Sequence, residues 1–206
     1  GRIVPSFTRN WLAKQRLQGE PSPVGWFDAV ALAAAGAALA LWAALPQLPL
    51  AGGALMLAGA LHLARLARWQ GWRAAAEPLV LVLHLGYLWL ALALLLMGVS
   101  IISAGALPAT SGLHALTAGA FGVMTLAVMT RASLGHTGQA LTASPRISAI
   151  YVLVNLGAVV RVVSPLLPDF YTPLLAISAL LWSGAFAWFV VVYAPLLLAP
   201  RRVSAA

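Results

Sequence analysis

Between Pro78 and Thr130 the chain carries not one Asp, Glu, Lys or Arg. A water-facing domain needs such residues throughout, at roughly 25% of its length. This run is too apolar to face water and too long for one helix. The solvent it suits is lipid, where only helices and closed barrels satisfy every backbone polar group. The rest of the chain agrees: of 206 residues, 62% are hydrophobic and 8% are charged. The expected fold is all-α, a polytopic transmembrane helical bundle.

About 20 apolar residues carry a helix across the hydrocarbon. Six spans are expected: Trp26 to Leu45, Leu50 to Ala67, Pro78 to Ile102, Leu113 to Thr130, Ile147 to Pro165 and Pro173 to Leu198. Turn formers separate them. Pro46-Gln47-Leu48-Pro49 breaks the first pair, and Arg68 to Arg73 forms a short basic and aromatic loop. Ser103 to Gly112 divides the uncharged run. A loop with Gly135-His136-Thr137-Gly138 and Ser144-Pro145 follows, then the turn Pro168 to Pro173. The expected organisation is an interfacial segment over 1–25, a six-helix domain over 26–198 and a tail over 199–206. In the first segment Ile3, Phe7 and Trp11 recur every four residues, as on an amphipathic helix lying in the membrane interface.

The net charge of +8 is scattered between apolar runs rather than gathered in a patch. It points to lipid headgroups and orientation, not to nucleic acid. With six spans, eleven of the twelve basic residues fall on one side, and the other side receives Asp169. The positive-inside rule then places both termini in the cytoplasm, at an inner membrane. Trp11, Trp26, Trp69 and Trp72 fall at that boundary as an aromatic belt. The chain opens on Gly1, and its first residues do not read as a signal peptide, so a piece of a longer protein is expected.

Chemistry must come from few residues. There is no cysteine, so no thiolate ligand or nucleophile is present. No carboxylate sits at mid-depth: Asp28 begins the first span and Glu77 precedes the third. That argues against a carboxylate-based proton relay or cation pump. All four histidines lie in or beside spans, where ionisable groups mark function by default. His62 and His84 sit at matched depths, roughly 8–10 Å inside the basic end of their spans. On touching helices such a pair can converge on copper. On diagonal helices it can sandwich a haem. Each can equally pack against a neighbouring helix. Tyr87, at i+3 from His84, can share its face. His114 and Arg161 lie at similar depths near the other end. Arg161 can meet a haem propionate, hold an anionic ligand or pair with Asp169. Arg65, near the end of its span, can snorkel. Tyr151 and Asn155 can orient a ligand or join helices. Gly119 and Gly122, with Ala115 and Ala118, form ridges for close packing.

Three stretches carry a family resemblance. They are Gly1-Arg2-Ile3-Val4-Pro5 with Phe7-Thr8-Arg9-Asn10-Trp11; Trp72-Arg73, Pro78-Leu79 and Leu83-His84-Leu85-Gly86-Tyr87-Leu88-Trp89; and His114 to Ala120 with Met129-Thr130-Arg131 and Leu134-Gly135-His136-Thr137-Gly138. In this order and placement the chain resembles the NnrS family, specifically its C-terminal half. The resemblance implies a haem- and copper-containing inner-membrane protein tied to tolerance of nitric oxide and nitrosative stress. It implies a second, N-terminal half as partner, and NO or an iron-nitrosyl species as ligand. His84 and His114 become the leading metal candidates, followed by His62 and His136. Tyr87 and Arg161 become the candidates for cofactor contact. The rival expectation is a metal-free transporter or channel for a small or anionic solute, with Arg161 and His114 near its entrance.

Overall fold

Prolines and short polar side chains set where each helix starts. Pro49, Pro78 and Pro145 each occupy the opening turn of a helix, where the missing N–H costs nothing. The Glu77 carboxylate accepts from the Leu79 amide at 3.1 Å, and the Ser144 hydroxyl accepts from the Ile147 amide at 3.3 Å. The computed structural model describes residues 1–198. The expected tail over 199–206, with Arg201 and Arg202, lies outside the described residues. The helices are α1 (Ile3–Lys14), α2 (Trp26–Ala44), α3 (Pro49–Arg68), α4 (Pro78–Ile102), α5 (Ala109–His136), α6 (Pro145–Val163) and α7 (Tyr171–Leu198). No strand occurs among the described residues. Six helices are long and apolar enough to cross a membrane, as the spacing predicted. The protein is a multi-pass membrane protein.

Consecutive spans pack side by side, and α4 lies at the centre, against α3, α5 and α1. The α3–α4 contact is a glycine seam. A Cβ on Gly98 would stand 2.5 Å from the Gly52 carbonyl oxygen, and one on Gly59 would stand 2.7 Å from Leu95. Lipid gives helices no hydrophobic push toward each other, so small residues that allow close approach supply the attraction. One apolar cluster joins α4, α5, α6 and α7 around Leu83, Leu126, Ile150 and Val154. A smaller one joins α2, α3 and α4 around Ala38, Leu55 and Leu94.

Three sequence expectations need correction. The fourth span does not stop at Thr130; it runs on to His136. Arg131 stays helical because its guanidinium lies over the Phe7 ring at 3.7 Å, a cation–π contact. Gly138 then stops the helix at φ 69°. Its amide bonds the Gly135 carbonyl and the Gln139 amide bonds that of Leu134, the Schellman pattern. The motif Gly135-His136-Thr137-Gly138 is therefore a helix end rather than a loop. Second, the expected first-segment helix forms as α1, but it also buries a stripe of Val4, Thr8 and Leu12 against the bundle, which the spacing did not foresee; Ile3 stays exposed, as a side chain turned to the membrane interface would be. Third, Trp69 does not join a boundary belt: it is 1% exposed, whereas Trp26 and Trp72 are exposed.

The seam yields a prediction. Gly98→Val is expected to destabilise the purified protein by about 1–3 kcal/mol, the usual cost of overpacking. Gly53→Ala, where a Cβ meets nothing within 4 Å, should be neutral. Thermal unfolding in detergent compares the two.

Candidate functional site

At the end of the bundle where α3 finishes and α4 begins, Arg65 is 1% exposed. It does not snorkel. Its Nε donates to Asp28 Oδ1 at 2.5 Å, and its Nη1 donates to the Tyr87 hydroxyl at 2.7 Å. Its guanidinium also lies 4.9 Å from the Trp69 ring centroid. Asp28 in turn accepts from the Gly25 amide at 2.9 Å. The carboxylate that opens α2 thus fastens α2 to the last turn of α3, and α3 to α4. Tyr87 lies 2.6 Å from His62 Nδ1. Arg65 can only donate, so with His62 in the tautomer that leaves Nδ1 unprotonated the phenol proton goes to His62.

His84 faces elsewhere. Its Nε2 lies 2.8 Å from Thr8 Oγ1, and that hydroxyl donates to the Val4 carbonyl at 3.1 Å. The bonds close if Nε2–H donates to Thr8, which leaves Nδ1 with a free lone pair. Gly71 packs over the imidazole face: a Cβ there would stand 2.4 Å from both Cγ and Nδ1. The aromatic rings run in series. His62 to Tyr87 is 5.5 Å between centroids, Tyr87 to Trp69 is 4.5 Å and Trp69 to His84 is 6.4 Å. Tyr87 therefore serves His62 and Arg65 rather than its i+3 neighbour His84.

α3 and α4 pack as a tight hairpin, so His62 and His84 do not stand on diagonal helices as the haem alternative supposed. Copper needs several donors converging on one point. Among the described residues no three His, Asp or Glu side chains stand together. His62 Nε2 and His84 Nδ1 are buried without partners, but the two rings turn to different neighbours. The partnered nitrogens, His62 Nδ1 and His84 Nε2, meet Tyr87 and Thr8, and matched depth does not by itself join the two rings in one site.

The other end offers a different arrangement. His114 ends the first turns of α5, and residues Ala115–Phe121 continue as a π-helix. Such wide turns recur at functional sites. Here Trp182 Nε1 donates to the Ala118 carbonyl at 3.2 Å. Gly119 admits the Trp89 ring and Gly122 the Trp182 ring: a Cβ on either would stand 2.6 Å from an indole atom. The small-residue ridge therefore receives indoles. Beside it opens a cleft of about 740 Å³. His114 and Arg161 both line it, with Phe121, Trp182 and Phe186 as aromatic walls and Ser178 among the polar groups. Arg161 makes no ion pair with Asp169; the described residues hold one ion pair, Arg65–Asp28. The volume lies in the range of small-molecule and cofactor pockets, roughly 300–1,000 Å³. One imidazole, one guanidinium and apolar walls suit a flat apolar group with carboxylate arms.

The remaining candidates separate from both places. His136 is exposed at the rim of an apolar pocket with Phe7, Leu83 and Arg131. Asn155 accepts from Trp89 Nε1 at 3.0 Å, and the Tyr151 hydroxyl lies 2.5 Å from Thr130 Oγ1. Both join helices, and neither bonds a histidine. The sequence reading missed the Asp28–Arg65 pair, Thr8 and the inward turn of Trp69. The matching spacings of Asp28 and Arg65 from the basic ends of α2 and α3 were the available signal.

A family model described as NnrS protein matches residues 1–201. No curated protein and no solved structure matches the chain.

The ion pair yields a prediction. Asp28→Leu alone is expected to cost about 3–5 kcal/mol, because it leaves the Arg65 charge buried and unpaired. Asp28→Leu with Arg65→Met should recover most of that loss. Thermal unfolding of both variants in detergent decides; equal loss in the two would refute the pairing argument.

Proposed function

The chain belongs to the NnrS family, and on that premise we propose a membrane protein of the nitric-oxide response that holds haem in the His114–Arg161 cleft. The observation that carries this reading is that one cleft joins His114 and Arg161 from separate spans. There the His114 imidazole would hold the haem iron. Arg161 would meet a carboxylate arm of the group, a charge-assisted contact that is strong where water is scarce. Phe121, Trp182 and Phe186 line the cleft with apolar surface that would exclude water. The Trp182 bond to Ala118 keeps the π-helical turn in register, which aims His114 at the cleft. Bound there, a haem supplies an iron that takes up nitric oxide or passes an electron. Copper, the other group that the family resemblance implies, finds no matching donor set among the described residues. His84 offers a single donor nitrogen, and no step is assigned to it.

Protein expressed with haem and copper supplied, then purified in detergent, is expected to show a Soret band. His114→Ala should abolish it. Arg161→Gln should weaken haem affinity about tenfold or more, by loss of a charged hydrogen bond. A band unchanged in both variants would move the haem elsewhere. A colourless protein whose liposomes take up a small anion only when Arg161 is present would replace haem by a solute path.

A further inference from the structure

The chain has four tyrosines, and their hydroxyls meet different partners. Tyr151 meets the hydroxyl of Thr130, a poor base. Tyr193 is buried, and its hydroxyl has no hydrogen-bond partner among the described residues. Tyr171 is 39% exposed. Tyr87 alone faces an imidazole, His62 Nδ1 at 2.6 Å. Arg65 takes another position around the same oxygen as a donor. With His62 Nδ1 unprotonated, the phenol proton has one acceptor, at 2.6 Å. Tyr87 and His62 are 5% and 1% exposed, so water does not compete for that proton.

This is the arrangement that one-electron oxidation of a phenol requires. A phenol that loses an electron becomes a strong acid, and a base already bonded to it removes the barrier of finding one. We propose that Tyr87 and His62 form a proton-coupled redox pair that reduces a one-electron oxidant of the nitrogen dioxide class. In the step Tyr87 gives one electron to nitrogen dioxide, which becomes nitrite. The O–H bond breaks, the proton moves to His62 Nδ1, and Tyr87 is left as a neutral phenoxyl radical. Atoms and charge balance: the anion formed is nitrite and the cation formed is the His62 imidazolium. Asp28 matters here, because its carboxylate neutralises Arg65. The imidazolium then forms beside a neutral pair rather than beside a bare guanidinium. Nitrogen dioxide is small and lipid-soluble, so the medium around these helices delivers it. The electron can cross a few ångströms of packed protein, while the proton travels only along the existing bond. Trp69, at 4.5 Å from the Tyr87 ring, completes the dry wall. This pair lies at the end of the bundle opposite His114, and its chemistry needs no haem.

The test starts from a Tyr171→Phe protein, which removes the exposed competitor. Nitrogen dioxide is generated by pulse radiolysis against this protein in detergent. A phenoxyl absorbance is expected that forms more slowly in D₂O. Tyr87→Phe should abolish it, and His62→Gln should slow it about a hundredfold, the scale of a lost positioned base. Spin trapping with peptide mapping on the protein with both residues intact should place the radical on Tyr87. That measurement holds even if the variants fold poorly. A signal that survives Tyr87→Phe, a rate indifferent to His62→Gln, or a radical mapped to Tyr151 or Tyr193 would overturn the proposal.

Discussion

Arg65 has no water to reach. A guanidinium at this depth costs several kcal/mol unless other groups replace its hydration. Asp28 supplies the counter-charge, the Tyr87 hydroxyl accepts a second N–H, and the rings of Trp69 and Tyr87 lie against its face. Meeting those demands brings α2, α3 and α4 together and turns Trp69 inward. It also sets the Tyr87 hydroxyl against His62 Nδ1. The arrangement of the whole basic end follows from one cation that could not stay exposed and could not stay alone.

The opposite end is organised by shape rather than charge. Gly119 and Gly122 leave notches that Trp89 and Trp182 fill. Trp182 takes up a carbonyl in the π-helical turn, and the helix pair is held apart enough to leave a cleft. The two ends therefore differ in kind. One is dry and packed, with Asp28, Arg65, Tyr87 and His62 joined by hydrogen bonds. The other keeps space for a guest and sets one imidazole and one guanidinium at its wall. The indoles of Trp89 and Trp182 in their notches brace the helices beside the cleft.

The fold was readable because lipid imposes a simple rule. Each span must be apolar and long, and turn formers must separate the spans, so the six helices follow from composition along the chain. Depth was also readable: a fixed rise per residue puts His114 and Arg161 at similar levels, and the cleft unites them. Equal depth was not enough for His62 and His84. Depth says nothing of rotation about the helix axis, and the Tyr87 and Thr8 hydroxyls turn the two rings to different partners. Trp69 misled for the same reason, since a tryptophan near a boundary can face lipid or core. Gly138 shows the local limit. Whether a glycine makes a loop or stops a helix depends on hydrogen bonds that form only once the helix exists.

By itself, the sequence determined the number of spans, their order and which residues share a level, because hydrocarbon thickness and helical rise are fixed in advance. Only the tertiary structure decided which of those residues meet. Pairing Asp28 with Arg65, or His114 with Arg161, depends on how each helix turns about its axis and which neighbour it packs against. Those choices come from side-chain volume and close approach, summed over many weak contacts, and no local pattern in the chain encodes them.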